Sequence, residues 1–413
     1  MNGEKGTERG ETARTNAALV AEAERHGAHN YAPLGVVLTR GEGALVWDVE
    51  GKRYIDCLSA YSALGQGHCH PRIVEALVAQ ARTLTLTSRA FHNDRLGPFL
   101  TKVAELTGFE RVLPRNTGAE AVETAIKVMR RWGYEKKGVP ANEAEIIVAE
   151  GNFHGRTTTI VSLSTDPTSF GGYGPYTPGF VKVPFGDAQA LERALGPRTV
   201  GVLLEPIQGE GGVIIPPDDY LPRVREATRR QNVVFCLDEV QTGLGRTGTM
   251  FGWQQWGARP DAICLGKALS GGVYPVSAVC ADAWLMDVFT PGTHGSTYGG
   301  NPLGAAAAVA ALDVLVDEKL VERSARLGAH ALARLRAGLS GMAHVKEVRG
   351  RGLMIAIQLR EATAHAAALA LAEEGVLVKD THGHTLRLLP PFVIEERVLD
   401  EAVDAMIRVL GRR

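Results

Sequence analysis

Residues 233–248 read VVFCLDEVQTGLGRTG and residues 262–272 read AICLGKALSGG. In each, a short unbroken apolar run stops at a charged residue, Asp238 in the first and Lys267 in the second. A run of this length without polar alternation fits a strand covered on both faces. Glu145–Ala149 (EIIVA), Val200–Glu205 (VGVLLE) and Pro275–Cys280 (PVSAVC) have the same character. Between them, Gly118–Trp132 places Val122, Ala125, Ile126 and Met129 at helical spacing. Strands alternating with helices predict an α/β fold, with a mostly parallel central sheet flanked by helices.

The pattern changes toward the C-terminus. Val321, Ala325, Gly328, Leu332, Leu335 and Leu339 follow the three-four rhythm of one amphipathic helix. Leu353–Leu359 then reads as a strand, and Leu399, Ala402, Met406, Val409 and Leu410 as a closing helix, which together predict a smaller α+β domain. Leu45–Leu58 (LVWDVEGKRYIDCL) reads as a hairpin turning at Glu50-Gly51.

Composition narrows the partners. Lys and Arg number 45 against 46 Asp and Glu in 413 residues, so no charge excess draws nucleic acid or an anionic membrane. The longest apolar run, around Gly304–Leu312, is too short to span a bilayer. The first residues, MNGEKGTERGETAR, lack the apolar core of a secretory signal, and their acids argue against a transit peptide. Five Cys are too few, and odd in number, for a disulfide scaffold. A cytoplasmic protein with a disordered tail at 1–14 is the expectation.

Ligands of open α/β sheets bind outside the carboxyl ends of strands. Asp238, Lys267 and Glu205 all stand at such ends. Pyridoxal phosphate is a cofactor that needs this set: a lysine for a Schiff base, a carboxylate facing the pyridinium nitrogen, and donors for a phosphate. Lys267, Asp238 and the helix start at Asn116-Thr117-Gly118-Ala119 can meet these needs, with Gln241 bonding the ring hydroxyl. Taken singly, however, a lysine after a strand is commonly a solvated loop residue, and a strand-end Asp commonly a cap. Spacing alone leaves both readings open.

Longer motifs decide between them. LDEVQTGLGRTG (237–248), LGKALSGGVYPVSAV (265–279), HGSTYGGNP (294–302) and EPIQGEGGV (205–213) resemble the class III aminotransferases of fold type I. HNYAPL (29–34), SAYSALGQGHCHP (59–71), LTLTSRAFHND (84–94) and STDPTSFGGYGP (164–175) resemble the branch of that family that acts on ornithine. The resemblance runs from about residue 25 to the C-terminus. It implies pyridoxal 5′-phosphate as cofactor, with Lys267 as Schiff-base lysine and acid/base. Asp238 would pair with the pyridinium nitrogen, Gln241 with the ring oxygen, and Phe153 would stack on the ring. Gly118 and Ala119 would hold the phosphate, while Ser296 and Thr297 would reach the phosphate of a neighbouring subunit. A homodimer, or a higher assembly, with shared active sites is therefore implied. The implied division is an N-terminal segment at 15–65 packing with the small domain, a large cofactor-binding domain at 66–310 and a small domain at 311–413.

The same resemblance implies how two unlike substrates share a pocket. Ornithine reacts at its δ-amine, whereas glutamate reacts at its α-amine, beside a carboxylate. Glu210 would pair with Arg387 when ornithine binds and swing away when glutamate or 2-oxoglutarate enters. Arg156 would clamp the far carboxylate, bidentate as its planar fork allows. Tyr31 and Tyr61 would line the ornithine end, with Tyr31 selecting the donor. The product semialdehyde would cyclise, linking arginine metabolism to proline biosynthesis. One departure is His154, where the animal pattern has Trp after the stacking Phe; it is expected near the ring rim.

Other readings keep the scaffold and change the reaction: acetylornithine, 4-aminobutyrate or lysine as donor, an aminomutase or racemase, or a non-catalytic dimeric binding protein. His68-Cys69-His70 lacks a second ligand pair at metal spacing, so no metal site is expected. The glycine-rich pieces lack the strand and helix context of a dinucleotide site.

Overall fold

The computed structural model describes residues 15–412, so the tail expected at 1–14 lies outside the described residues. A seven-stranded sheet forms the centre. Across it the strands are Arg111–Arg115, Ser277–Ala281, Ala262–Leu265, Val234–Asp238, Thr199–Leu204, Glu145–Ala149 and Phe180–Val183. Ser277–Ala281 runs antiparallel to both its neighbours, and the other pairings are parallel. The four strands at 199–204, 234–238, 262–265 and 277–281 are buried at every residue. Cover on both faces is why their sequences show no alternation.

The expected strands are present with small shifts. Thr199–Leu204 ends one residue before Glu205, whose carboxylate instead accepts the amides of Phe153 and Gly209. Ser277–Ala281 starts beyond Pro275, which has no N–H to offer a ladder. The helix Gly118–Trp132 opens with a capping box in which Thr117 and Glu120 satisfy each other's amides. It buries Ala121, Val122, Ala125, Ile126 and Met129 against the sheet.

Two smaller sheets involve the chain ends. Leu38–Glu42, Leu45–Asp48 and Arg53–Asp56 form an antiparallel set, extended by parallel pairing with Val376–Leu377. The N-terminal segment is thus joined to the C-terminal part by a strand. Val345–Arg351, Met354–Leu359, Thr385–Leu388 and Lys379–Thr381 form the other sheet. The helices Pro302–Asp317, Leu320–Gly338 and Glu396–Gly411 complete this end. The division expected at residue 310 falls inside an unbroken helix. The chain turns only past Asp317, where Lys319 adopts a left-handed φ of 51°. Asp313 on that helix faces outward to Lys102 Nζ at 2.7 Å.

His68 and His70 take separate carboxylates, Asp56 at 2.7 Å and Glu318 at 3.1 Å. Among the described residues no helix is long and apolar enough to cross a membrane.

Three backbones touch where the long helix meets the small sheet. A Cβ on Gly328 would sit 2.0 Å from the Gly352 carbonyl oxygen, and one on Gly352 would sit 2.4 Å from the Gly248 amide. Gly328→Ala gains about 1 kcal/mol of helix propensity but meets backbone that cannot rotate away. The clash wins, and we expect a net loss of about 1–3 kcal/mol. Gly97→Ala, in a helix with nothing within 4 Å of the new methyl, gains about 0.5 kcal/mol. Thermal unfolding midpoints of the two variants should move in opposite directions; equal shifts would contradict the packing described.

Candidate active site

The carboxyl ends of the central strands converge on a cavity of about 220 Å³. Its wall includes Gly118, Ala119, Phe153, Glu205, Glu210, Asp238, Gln241 and Lys267. Asp238 ends its strand and is 5% exposed. One carboxylate oxygen accepts the Val240 amide at 3.0 Å, and the other accepts from His154 Nδ1 at 2.7 Å. Lys267 follows Gly266 just past the end of the adjacent strand, Ala262–Leu265, and takes a left-handed φ of 45°. A β-carbon in that region is strained, and such strain gathers at sites where a side chain must be aimed. Burial pushes the Lys267 ammonium below its ordinary range, against the opposing pull of Glu210 and Asp238.

Glu210 and Arg387 form an ion pair at 2.6 Å. Arg387 lies on the strand Thr385–Leu388 of the small C-terminal sheet and is 2% exposed. Its guanidinium stands 5.4 Å from the centre of the Tyr61 ring. Burial alone would raise the Glu210 carboxyl, but Arg387, with Lys267 and Gln241, outweighs it and holds the group below its ordinary value. Thr381 Oγ1 donates to the Glu210 carbonyl at 2.7 Å, so the small sheet grips this loop by backbone as well as by charge. Among the described residues Glu205 has no cationic partner at hydrogen-bond distance. Burial pushes its carboxyl up to about 7.

Gln241 donates to Glu210 at 3.3 Å and to the Tyr61 carbonyl at 3.4 Å. Its side-chain oxygen is buried with no partner among the described residues. Gly209 makes room for that oxygen, which would lie 1.4 Å from a Cβ there. Gly118 and Ala119 open the helix, where amides lack intrahelical acceptors. The capping box uses the amides of Thr117 and Glu120.

The remaining expected residues lie further out. Tyr61 and Tyr31 border a second, more apolar cavity of about 530 Å³, with Tyr31 76% exposed. Tyr61 sits in a left-handed turn, since Ser59, Ala60, Tyr61 and Ser62 all have positive φ. Arg156 is exposed, with its guanidinium 5.7 Å from the centre of the Phe153 ring. Ser296 accepts from Asn116 Nδ2 at 3.2 Å beside the helix start, and Thr297 is exposed.

Two features were not foreseen from the sequence. His154 lines the cavity as expected, but its ring is bonded to Asp238 rather than merely packed. Arg246 is buried and ties together Leu353, Pro390 and Ser59, the residue that opens the left-handed turn. A carboxylate and a histidine 84 positions apart give no local signal of pairing. Arg246 lay inside the quoted TGLGRTG loop, and its unusual setting in an otherwise small-residue loop was the available cue.

This donor set fits pyridoxal phosphate. The orphaned Gln241 oxygen lacks a donor that a ring hydroxyl would supply, Asp238 offers a carboxylate, and Lys267 offers an amine of weakened basicity. The free helix amides suit a phosphate.

Comparisons with known proteins agree. The family model for class-III aminotransferases matches residues 26–410. An ornithine aminotransferase of Bordetella pertussis is 55% identical over 387 residues, 93% of each chain. The crystal structure of the ornithine aminotransferase of Toxoplasma gondii ME49 has a TM-score of 0.95 at 45% identity, covering 97% of this chain and 96% of that one. Another crystal structure of the T. gondii enzyme, 46% identical with a TM-score of 0.94 and covering 96% of this chain and 94% of that one, has pyridoxal phosphate at partial occupancy in its active site. An acetylornithine aminotransferase of Elizabethkingia anophelis has a TM-score of 0.89 at 47% identity, covering 97% of this chain and 100% of that one. Matched over nearly its whole length, this chain belongs to the class-III aminotransferase family, enzymes that move amino groups with pyridoxal 5′-phosphate.

Proposed function

We propose that the protein is an ornithine δ-aminotransferase, converting L-ornithine and 2-oxoglutarate (or another 2-oxo acid) to glutamate 5-semialdehyde and glutamate in two alternating half-reactions. The observation that carries this reading is the Glu210–Arg387 pair beside Lys267. A substrate reacting at a bare methylene has nothing to offer a buried guanidinium, so a carboxylate of the protein must cover it. Removing one partner of a buried pair costs about 3–5 kcal/mol. The names of relatives such as the B. pertussis protein support the same donor. The similarity to an acetylornithine aminotransferase keeps that donor as the second reading.

When bound, pyridoxal phosphate supplies a carbon that takes up the amino group and a ring that accepts the electron pair left by proton loss. Lys267 would bond the cofactor and, when released from it, carry the proton at Nζ; its burial-weakened basicity suits it to release as well as capture. Asp238 would face the ring nitrogen and hold a proton there, and Gln241 would orient the ring oxygen. Phe153 would pack against the ring, while the Gly118 and Ala119 amides would hold the phosphate. Arg156, exposed beside the Phe153 ring, holds the α-carboxylate of ornithine or the distal carboxylate of glutamate. Tyr31 and Tyr61 receive the ornithine end. For glutamate, Glu210 withdraws and Arg387 binds the α-carboxylate.

Ser296 and Thr297 serve the phosphate of a partner subunit, which makes the enzyme a homodimer. Exposure of Tyr31, Phe91 and Tyr298 supports this, since large apolar groups gather at subunit contacts. The large domain then carries the cofactor, and the small one brings Arg387. Cys57, Cys236, Cys264 and Cys280 are buried as free thiols, which suits the cytoplasm.

Three outcomes are expected. The holoenzyme should show a visible absorption band lost in Lys267→Ala, and kcat/KM should be highest for ornithine among ornithine, acetylornithine, 4-aminobutyrate and lysine; turnover only with acetylornithine would select the second reading. Glu210→Ala should raise kcat/KM for glutamate relative to ornithine about tenfold, equivalent to about 1.4 kcal/mol; an unchanged ratio would defeat the switch. Light scattering should give at least twice the 44.2 kDa chain mass, and a monomer active at assay concentration would refute shared sites.

A further inference from the structure

Arg246 is 1% exposed, and no carboxylate among the described residues pairs with it. Burial works against such a charge, and the Asp56 carboxylate offsets that only in part. Its bonds show what the planar fork achieves there. Nη1 donates to the Leu353 carbonyl at 2.8 Å and to the Pro390 carbonyl at 2.7 Å. Leu353 directly precedes the strand Met354–Leu359, and Pro390 closely follows Thr385–Leu388. These strands are antiparallel neighbours with Ala356 opposite Arg387, so one guanidinium closes the end of the strand pair that carries Arg387. Nη2 turns the other way and donates to Ser59 Oγ at 3.2 Å, whose own proton goes to the Leu389 carbonyl at 2.6 Å.

Ser59 opens a run of four non-glycine residues with φ of 44°, 47°, 57° and 78°, and Tyr61 is the third of them. L-residues rarely hold a left-handed turn, which persists only where its surroundings over-determine it. Asp56 Oδ1 accepts the Leu58 and Ser59 amides at 2.9 and 2.8 Å. Gln241, five residues before Arg246 on the same loop, donates to the Tyr61 carbonyl at 3.4 Å. We propose that Arg246 is a positioning residue for donor recognition: its guanidinium fastens the left-handed turn that carries Tyr61 to the strand pair that carries Arg387, and so sets the spacing of these two side chains. The inference rests on the reading of Tyr61 and Arg387 given above. The Arg387 guanidinium stands 5.4 Å from the centre of the Tyr61 ring, across the join that Arg246 makes. With Ser59 released, the turn relaxes toward ordinary right-handed backbone and takes Tyr61 with it. The base of the clasp is itself fixed, since Ser324 Oγ donates to the Arg246 carbonyl at 3.3 Å and the Phe392 ring lies 4.5 Å from the guanidinium.

The test is a double-substitution cycle on the holoenzyme: Arg246→Lys, Tyr61→Ala and the two together, with kcat/KM and KM read in the ornithine half-reaction. Lysine keeps the charge and loses the fork. Arg246→Lys should lower kcat/KM for ornithine about ten- to a hundredfold, the scale of an error of about 1 Å in position, and mainly through KM. The visible absorption band should stay as in the wild type, because Arg246 bonds to none of the residues assigned to the cofactor. In the Tyr61→Ala background the same substitution should lower kcat/KM by about threefold or less, since coupled residues do not act additively. A residue that serves stability alone would give the same factor in both backgrounds. Equal factors overturn the inference, as does a lost absorption band in Arg246→Lys. Ser59→Ala breaks the link with the arginine in place and should show the same dependence on Tyr61, so the cycle is decisive even should Arg246→Lys fail to fold. Tyr61→Ala with unchanged kcat/KM for ornithine would instead bring down the reading of Tyr61, and this inference with it.

Discussion

A sheet buried on both faces has no room for charge along its strands, and that constraint organises this molecule. Strands such as Thr199–Leu204 and Val234–Asp238 are enclosed at every residue. Charged side chains can gather only where the strands stop and the backbone turns away. Asp238, Glu205 and Lys267 are placed by those endings, and the cavity is the space left between them. The wide separation of these residues in the chain matters little once parallel strands bring their carboxyl ends to one edge.

Charge in such a place must be matched. Around the cavity stand the carboxylates of Asp238, Glu205 and Glu210, and the basic groups of Lys267, Arg387 and His154. Asp238 has His154, and Glu210 has Arg387. Among the described residues Glu205 accepts only backbone amides, and burial pushes its carboxyl up to about 7. Arg387 arrives on a different sheet from the rest, so the ion pair also couples the small C-terminal sheet to the edge of the large one.

Much of this was legible in the chain. Unbroken apolar runs revealed the inner strands, because full burial removes the polar partner from alternation. The helix Gly118–Trp132 was readable from its spacing and its cap. Residues whose position follows from a strand ending, such as Asp238 and Lys267, were also readable, although their chemistry needed the longer motifs. Boundaries were less legible. The helix Pro302–Asp317 runs unbroken past residue 310, with Asp313 facing outward to Lys102, a partner far away in sequence.

Local chemistry therefore determined which segments are strands and helices, and which charged residues stand at their ends: burial and backbone geometry act over a few residues and leave a periodic trace. Only the tertiary structure decided who meets whom. His154 on Asp238, Arg387 on Glu210, and Arg246 clasping Leu353 and Pro390 are contacts between distant segments. Each depends on a distance and an angle set by packing of the whole chain, and no short stretch of sequence encodes either.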